Sequence, residues 1–449
     1  MSEDKTMEKA LKPFHPSRLK DQNGVTVILV AILMFVFLGI AALAVDLSNL
    51  YVVRNELQNA ADAGALAGAR FLYNDDGTAV NPGANGIAYA AATANKALSI
   101  TGAVAVDVNW TEGTNTGDVQ RGHWSFGLGD LPRGFYPNNS PVAVDLANVS
   151  TEELDADVNF INAVRVVARR QDTPKGTPAA SFFARIFGRE YFTLSADAVA
   201  YIGFAGSLRP EDVDQPIAIC KQSITSSDGE EYTCSTGRMI DSGSGTTHNS
   251  GAWTNFSQPC DTASASSVRP LICGDGNPDT ISFGDGMGTV GGMQDNVYSD
   301  LRDCWLSTSG SSGPPTKAWR LALPVVDCPA NNPGPCSEVL GTVTLDVLWI
   351  KQSSTDPQWK DIPLQMETWT CTQGVSIDSL TAAQRQQCWQ EFASTFHLKT
   401  ADGTSVGDLT PSELQKTIFF LPNCEPHEPR GVSGGENFGV LARIPVLVD

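Results

Sequence analysis

Val25–Val45, VTVILVAILMFVFLGIAALAV, is the longest stretch of this chain without a charge, and it constrains the fold more than any other. A helix needs about 20 apolar residues to cross a bilayer core, and this run supplies them. In lipid every backbone donor and acceptor must be paired within the segment, so a single pass has to be helical. Polarity returns at Asp46, yet LSNLYVVRNELQNAADAGALAGAR follows with no proline and many alanines. Leu47, Leu50, Leu57, Ala61, Gly64 and Gly68 recur at steps of three and four, with Arg54 the charged member of that stripe. The pattern predicts one long helix, half within a membrane and half projecting from it. The projecting stripe would dock either on the chain's own folded part or on a helix of another subunit.

Lys5, Lys9, Lys12, Arg18 and Lys20 crowd the segment before the run, whereas only Arg54 stands soon after it. By the positive-inside rule the N-terminus is expected in the cytoplasm and everything from Asp46 onward outside it. A cleaved signal peptide would need a shorter apolar core and a flexible sequel. AALAVD offers small residues, but the helical pattern runs straight on, which favours retention.

The chain has 449 residues and a formal net charge of −20, enough for two or three folded units. The acidic balance argues against nucleic acid, which needs a clustered basic face. All ten cysteines lie in the second half: Cys220, Cys234, Cys260, Cys273, Cys304, Cys328, Cys336, Cys371, Cys388 and Cys424. None has CxxC spacing. An even number in loop-rich sequence beyond an apolar span reads as disulfides in an oxidising compartment. Neighbour pairings such as Cys220–Cys234, Cys260–Cys273 and Cys328–Cys336 are expected examples, although spacing alone leaves the connectivity open.

After the long helix, Asn74–Gly83 is a dense turn signal. A second helix is predicted with Ile87, Ala91, Ala94 and Leu98 on one face. Val104, Val106, Val108 and Trp110 alternate as a strand that would form a hairpin with the Trp124, Phe126, Leu128 segment. Asn162–Arg170 reads as a third strand with Arg165 and Arg169 toward water. Pro178–Gly188 reads as a short helix with Gly188 at its C-cap, and YFTLSADAVAYIGF as a fourth strand. Helix, helix, hairpin, strand, helix, strand make an α+β module with an antiparallel sheet.

Residues 22–70 of this reading, from DQNG-type text through ALAVD and LQNAADA, resemble the N-terminal segment of TadG-like proteins of the Tad (Flp) pilus assembly systems. The matching residues are Ala44, Val45, Asp46, Tyr51, Arg54, Leu57, Gln58, Ala60, Ala61, Asp62 and Ala63. INAVRVVARR, FFARIFG and LSADAVAYI resemble the strands that follow, so the likeness runs to about residue 203. It implies an anchored component of the bacterial inner membrane, with the bulk of the chain periplasmic, acting as a scaffold through contacts with pilus assembly proteins or pseudopilins. It implies no enzyme and no cofactor; self-association stays open. The expected division is a cytoplasmic basic segment (1–23), a transmembrane helix (24–45), a projecting helix (46–72), the α+β module (73–205) and a β-rich, disulfide-stapled domain (206–449).

In that last part NSGAWTNFS, AWRLALPVVDC, GTVTLDVLWIKQ and the terminal VLARIPVLV are expected to build the β-rich core. Two helices are predicted, SLTAAQRQQCWQEFASTF with a Thr381/Gln384 capping box and TPSELQK capped by Thr410 and Glu413. Asp275, Asn277 and Asp279 alternate as the start of a calcium loop does, but Thr280 and Gly286 stand where an EF-hand has glycine and glutamate. A calcium-dependent tip adhesin is therefore one alternative function. Asp241–Gly245, DSGSG, lacks the hydroxyl ligands of a DxSxS metal motif. Gly403–Gly407 matches GxSxG around Ser405, without the preceding buried strand. The five histidines show no ligand spacing. Gly24 before an apolar helix suggests prepilin processing, but Leu29 holds the position where a pilin has glutamate. A minor pilin or pseudopilin is the other alternative.

Overall fold

A computed structural model describes residues 22–449 apart from 75–76, 128–130, 141–145, 147–148, 173–175, 226–236, 238–250, 275, 293–294, 309–315, 352–358, 360–361, 367, 372–378, 401–402, 415, 431–434, 436 and 438–441. The predicted long helix is continuous: α1 spans Gln22–Arg70, 49 residues. Its most apolar 18-residue window is 0% buried. Two compact interleaved units follow from the contacts, one of Met1–Ala60, Ala94–Asp107 and Ala168–Ala196, the other of Ala61–Thr93, Val108–Val167 and Asp197–Asp449.

In the first unit the hairpin of β1 (Lys96–Ser99) and β2 (Gly102–Ala105) is antiparallel, with Lys96 opposite Ala105. The β2 strand is shorter than the Val104–Trp110 strand predicted, and its partner is β1 rather than the Trp124 segment. Arg170 explains the arrangement. Its side chain is fully buried, and the guanidinium donates to the carbonyl oxygens of Val104 at 2.6 Å, Ala105 at 2.8 Å and Leu98 at 3.4 Å. It also reaches the Ala97 carbonyl and, at 3.1 Å, the Thr177 hydroxyl. Burial draws the Arg170 pKa below its ordinary value, while Asp107 and Glu56 push it back up.

In the second unit α2 (Ala84–Ala94) packs on the end of α1. Its buried face is Ala84, Ala88 and Ala92, not the predicted Ile87, Ala91, Ala94 and Leu98, and Leu98 lies in β1. The reason is close approach at glycine. A Cβ on Gly64 would lie 2.9 Å from the Ala92 Cβ, and one on Gly68 2.8 Å from Val164 Cγ1. Only the small stripe of α2 fits against that surface. A five-stranded sheet runs in the order terminal strand Arg443–Leu447, β8 (Leu194–Phe204), β5 (Ala163–Arg170), β3 (Val119–Ser125) and β4 (Gly134–Pro137). Thus β3 pairs with β4, and the last strand of the chain pairs with β8 instead of joining the β-rich core.

That core is a second sheet in the order Gly286–Val290, Gly251–Thr254, Ile217–Cys220, Trp319–Val326, Cys336–Lys351 and Thr417–Phe420. Gly286–Val290 also pairs with Cys336–Lys351, so five strands close on themselves and cover their edges. Val343, Leu345, Val347 and Trp349 are buried, as their alternation requires. The capping box of Thr381 and Gln384 starts the helix Ala382–Thr395. Thr410 and Glu413 also bond as predicted, but Pro411–Leu414 makes a turn rather than the start of a helix. Asp295–Thr308 is an additional helix whose polar sequence hid it.

Four disulfides are Cys220–Cys328, Cys260–Cys336, Cys273–Cys304 and Cys371–Cys388. Cys424 is also disulfide-bonded, and Cys234 lies outside the described residues. The neighbour pairings Cys220–Cys234, Cys260–Cys273 and Cys328–Cys336 are therefore not formed. Cysteines adjacent in sequence sit at strand ends that the sheet sends to different partners. Cys220 ends one strand and Cys328 follows its parallel neighbour, where Cys220 is in register with Val326.

Candidate membrane-proximal contact site

One residue past the apolar run, Asp46 is 4% exposed although it lies on a helix otherwise bare at this level. Its carboxylate accepts the backbone N–H of Phe182 at 2.8 Å, of Phe183 at 3.1 Å and of Ala184 at 2.6 Å. Three residues on, Asn49 Nδ2 donates to the Ala180 carbonyl at 2.9 Å. Two turns further along, Glu56 Oε2 accepts the N–H of Leu98 at 2.8 Å. Asp46, Asn49, Val53 and Glu56 thus form a gripping face at helical spacing. Sequence reading noticed Asp46 as the return of polarity and missed this role. The signal was an acid at the start of an aqueous helical half, with unpaired N–H groups elsewhere to satisfy.

The gripped segment begins with β6 (Ala179–Ala180), which pairs with β7 (Tyr191–Phe192), Ala179 opposite Phe192. Between them Ala184–Phe187 is a single 3₁₀ turn, shorter than the helix predicted over Pro178–Gly188. Gly188 does cap it, with φ 81° and its N–H on the carbonyls of Ala184 and Arg185. Replacing Asp46 by asparagine removes a carboxylate from three backbone donors, worth about 1.5–3 kcal/mol. The expected result is at least roughly tenfold faster trypsin cleavage after Arg185, which is exposed, with unchanged cleavage elsewhere.

The predicted stripe divides. Leu57, Ala61, Gly64 and Gly68 are buried within this chain, Leu50 is half-buried, and Leu47 and Arg54 are exposed. Leu47, Tyr51 and Arg54 lie on the side of α1 away from the gripping face, with Tyr51 60% exposed. Leu47 and Arg54 are thus the exposed members of the stripe, with Tyr51 beside them.

Other candidates have ordinary surroundings. Asp275 and Asp241–Gly245 lie outside the described residues, as do His15 and His248. Asn277 Oδ1 accepts the Asp279 N–H at 3.3 Å, an Asx turn, and Asp279 is exposed. Gly286, at the position where a calcium loop wants glutamate, faces the Cys260–Cys336 sulfurs so closely that no side chain would fit. Among the described residues no group of three metal-ligating side chains converges. Ser405 caps a 3₁₀ turn, accepting the Gly407 N–H at 3.2 Å, so GTSVG is not held as a nucleophile elbow. His123 is buried with Nδ1 3.1 Å from the Phe160 carbonyl oxygen.

An open cavity of about 320 Å³ is lined by Arg70, Asp214, Arg320, Thr344, Glu425 and His427, among others. His427 Nδ1 is 3.3 Å from the Thr344 hydroxyl and Nε2 3.9 Å from the buried Asp212 carboxylate. Burial depresses the His427 pKa below 6.5; Asp212 and Asp214 oppose that shift. The unfolded chain therefore takes up this proton first as pH falls. Stability contributed here is full above 6.5 and declines below it. Melting of the detergent-solubilised protein at pH 7.5 and pH 5 should show less of a drop in the His427→Gln variant.

Two family models match this chain. Residues 24–70 match the Flp pilus-assembly TadE/G-like family, and residues 67–200 match a Tad-like Flp pilus-assembly family. Over residues 24–200 the chain is therefore similar to TadE/G-like and Tad-like proteins of Flp pilus assembly, the first likeness carried by α1 and the second by the α+β module. No curated protein and no solved structure matches it.

Proposed function

We propose that this protein is an inner-membrane-anchored, largely periplasmic scaffold of a Tad (Flp) pilus assembly or secretion machine, acting through protein contacts and not as an enzyme. The observation that carries this reading is the change along α1. Val25–Val45 is bare of protein on every side, whereas the same unbroken helix ends with Gly64 and Gly68 packed into the family module. A helix bare and apolar over its first half has a bilayer as its solvent.

The exposed Leu47, Tyr51 and Arg54 are the surface offered to pilus assembly proteins or pseudopilins. The minor-pilin alternative would need the helix released at Gly24, and the span carries no acid to replace the glutamate that pilins use. A photoreactive residue in place of Tyr51, activated in cells assembling pili, should yield one dominant adduct with a pilus component. Adducts absent from Tyr51 but abundant from an exposed residue of the cysteine-rich part would contradict this choice of surface.

A further inference from the structure

The loop that Asp46 grips has an unusual surface. Phe182 is 49% exposed, Phe183 40%, Ile186 74% and Phe187 82%. Many other aromatics are buried, as with Trp253, Trp389, Phe392 and Phe419, and the exposed Tyr51 and Phe71 stand singly. Four large apolar side chains on one tight reversal are a contact surface waiting for its medium. Position identifies that medium. The 21 residues of Val25–Val45 at 1.5 Å each span about 32 Å, the thickness of a bilayer core. Asp46 is the next residue, and the backbone of Phe182, Phe183 and Ala184 lies within hydrogen-bond reach of its carboxylate. The loop is thereby fixed at the level where the span leaves the hydrocarbon.

Arg185 and Arg189 are exposed on the same reversal, and the Arg185 guanidinium donates back to the Ser181 carbonyl at 2.9 Å. Apolar tips flanked by arginines match the acyl–headgroup boundary, where rings enter the acyl region and guanidinium groups meet lipid phosphates.

We propose that the Phe182–Arg189 loop is a second membrane contact, a foot that inserts Phe182, Phe183, Ile186 and Phe187 into the outer leaflet beside α1. This rests on the anchoring of α1 proposed above. A foot fixed to the anchor gives two points of attachment, so the first unit would hold a set orientation on the lipid surface instead of swivelling on a single helix.

Spin labels placed singly by Ile186→Cys and Phe37→Cys, in the full chain reconstituted into vesicles of phosphatidylethanolamine and phosphatidylglycerol, test this. The described native cysteines are all in disulfides, so each engineered thiol is labelled under non-reducing conditions. Accessibility to oxygen over a water-soluble nickel chelate should be lipid-like at both positions, shallower at 186 than at 37. A label at 186 open to nickel while 37 remains in lipid overturns the foot and leaves the anchor standing. A label at 186 shielded from both reagents means a second copy of the chain covers the loop, which also overturns it. Nickel access at 37 overturns the anchor itself, and the foot with it.

Discussion

Arg170→Met should loosen the β1–β2 hairpin by about 3–5 kcal/mol, the largest effect expected of any single side chain in the first unit. The substitution keeps an unbranched apolar stem but removes every donor. Four carbonyls, those of Ala97, Leu98, Val104 and Ala105, would then be left facing a buried methionine, and Asp107 would lose the charge that balances it. Hydrogen exchange reads this locally. Amides of Lys96–Ala105 should exchange roughly 10²- to 10⁴-fold faster, with those of the Trp319–Val326 strand unchanged. Arg170→Lys should recover little, because an ammonium offers three donors from one point and cannot reach carbonyls on both strands. Exchange within about fivefold of the wild type would show that the guanidinium is not what holds the hairpin.

Loss of the Cys220–Cys328 bridge should be the costliest among the four described disulfides. It joins residues 108 apart at the ends of parallel neighbours, and both sulfurs are fully buried. Closing a loop near that length removes about 4–5 kcal/mol of unfolded-state entropy. The Cys220→Ser, Cys328→Ser double variant should therefore cost about 1.5 kcal/mol more, read from the denaturant midpoint, than loss of Cys371–Cys388, which joins residues only 17 apart. Equal losses from the two bridges would contradict the ranking.

What the residues revealed before the fold was known divides along local and non-local lines. The continuity of α1, the Thr381/Gln384 box, the Gly188 cap and the β5 and β8 strands all depend on neighbours within a few positions, and each formed where expected. The buried face of α2 did not, because a helix of alanines presents several equivalent small stripes. Gly64 and Gly68, far away in sequence, choose among them. Strand partners were equally hidden, since alternation along Val104–Trp110 says which residues share a face and nothing about the opposite strand. The terminal Arg443–Leu447 strand crosses back over the length of the chain to reach β8. Of the contact site, the unbroken apolar helix was legible, whereas the grip of Asp46 on Phe182–Ala184 was not. A carboxylate's partners here are backbone N–H groups, which carry no sequence label.

Protease accessibility in spheroplasts, read with antibodies to both ends of the chain, tests the central claim most directly. External protease should remove the cysteine-rich part while a membrane-bound fragment keeps the original N-terminus, residues 1–24 included. A mature chain starting at Val25 and recovered in sheared filaments would contradict it, as would full protection of the cysteine-rich part until the inner membrane is broken.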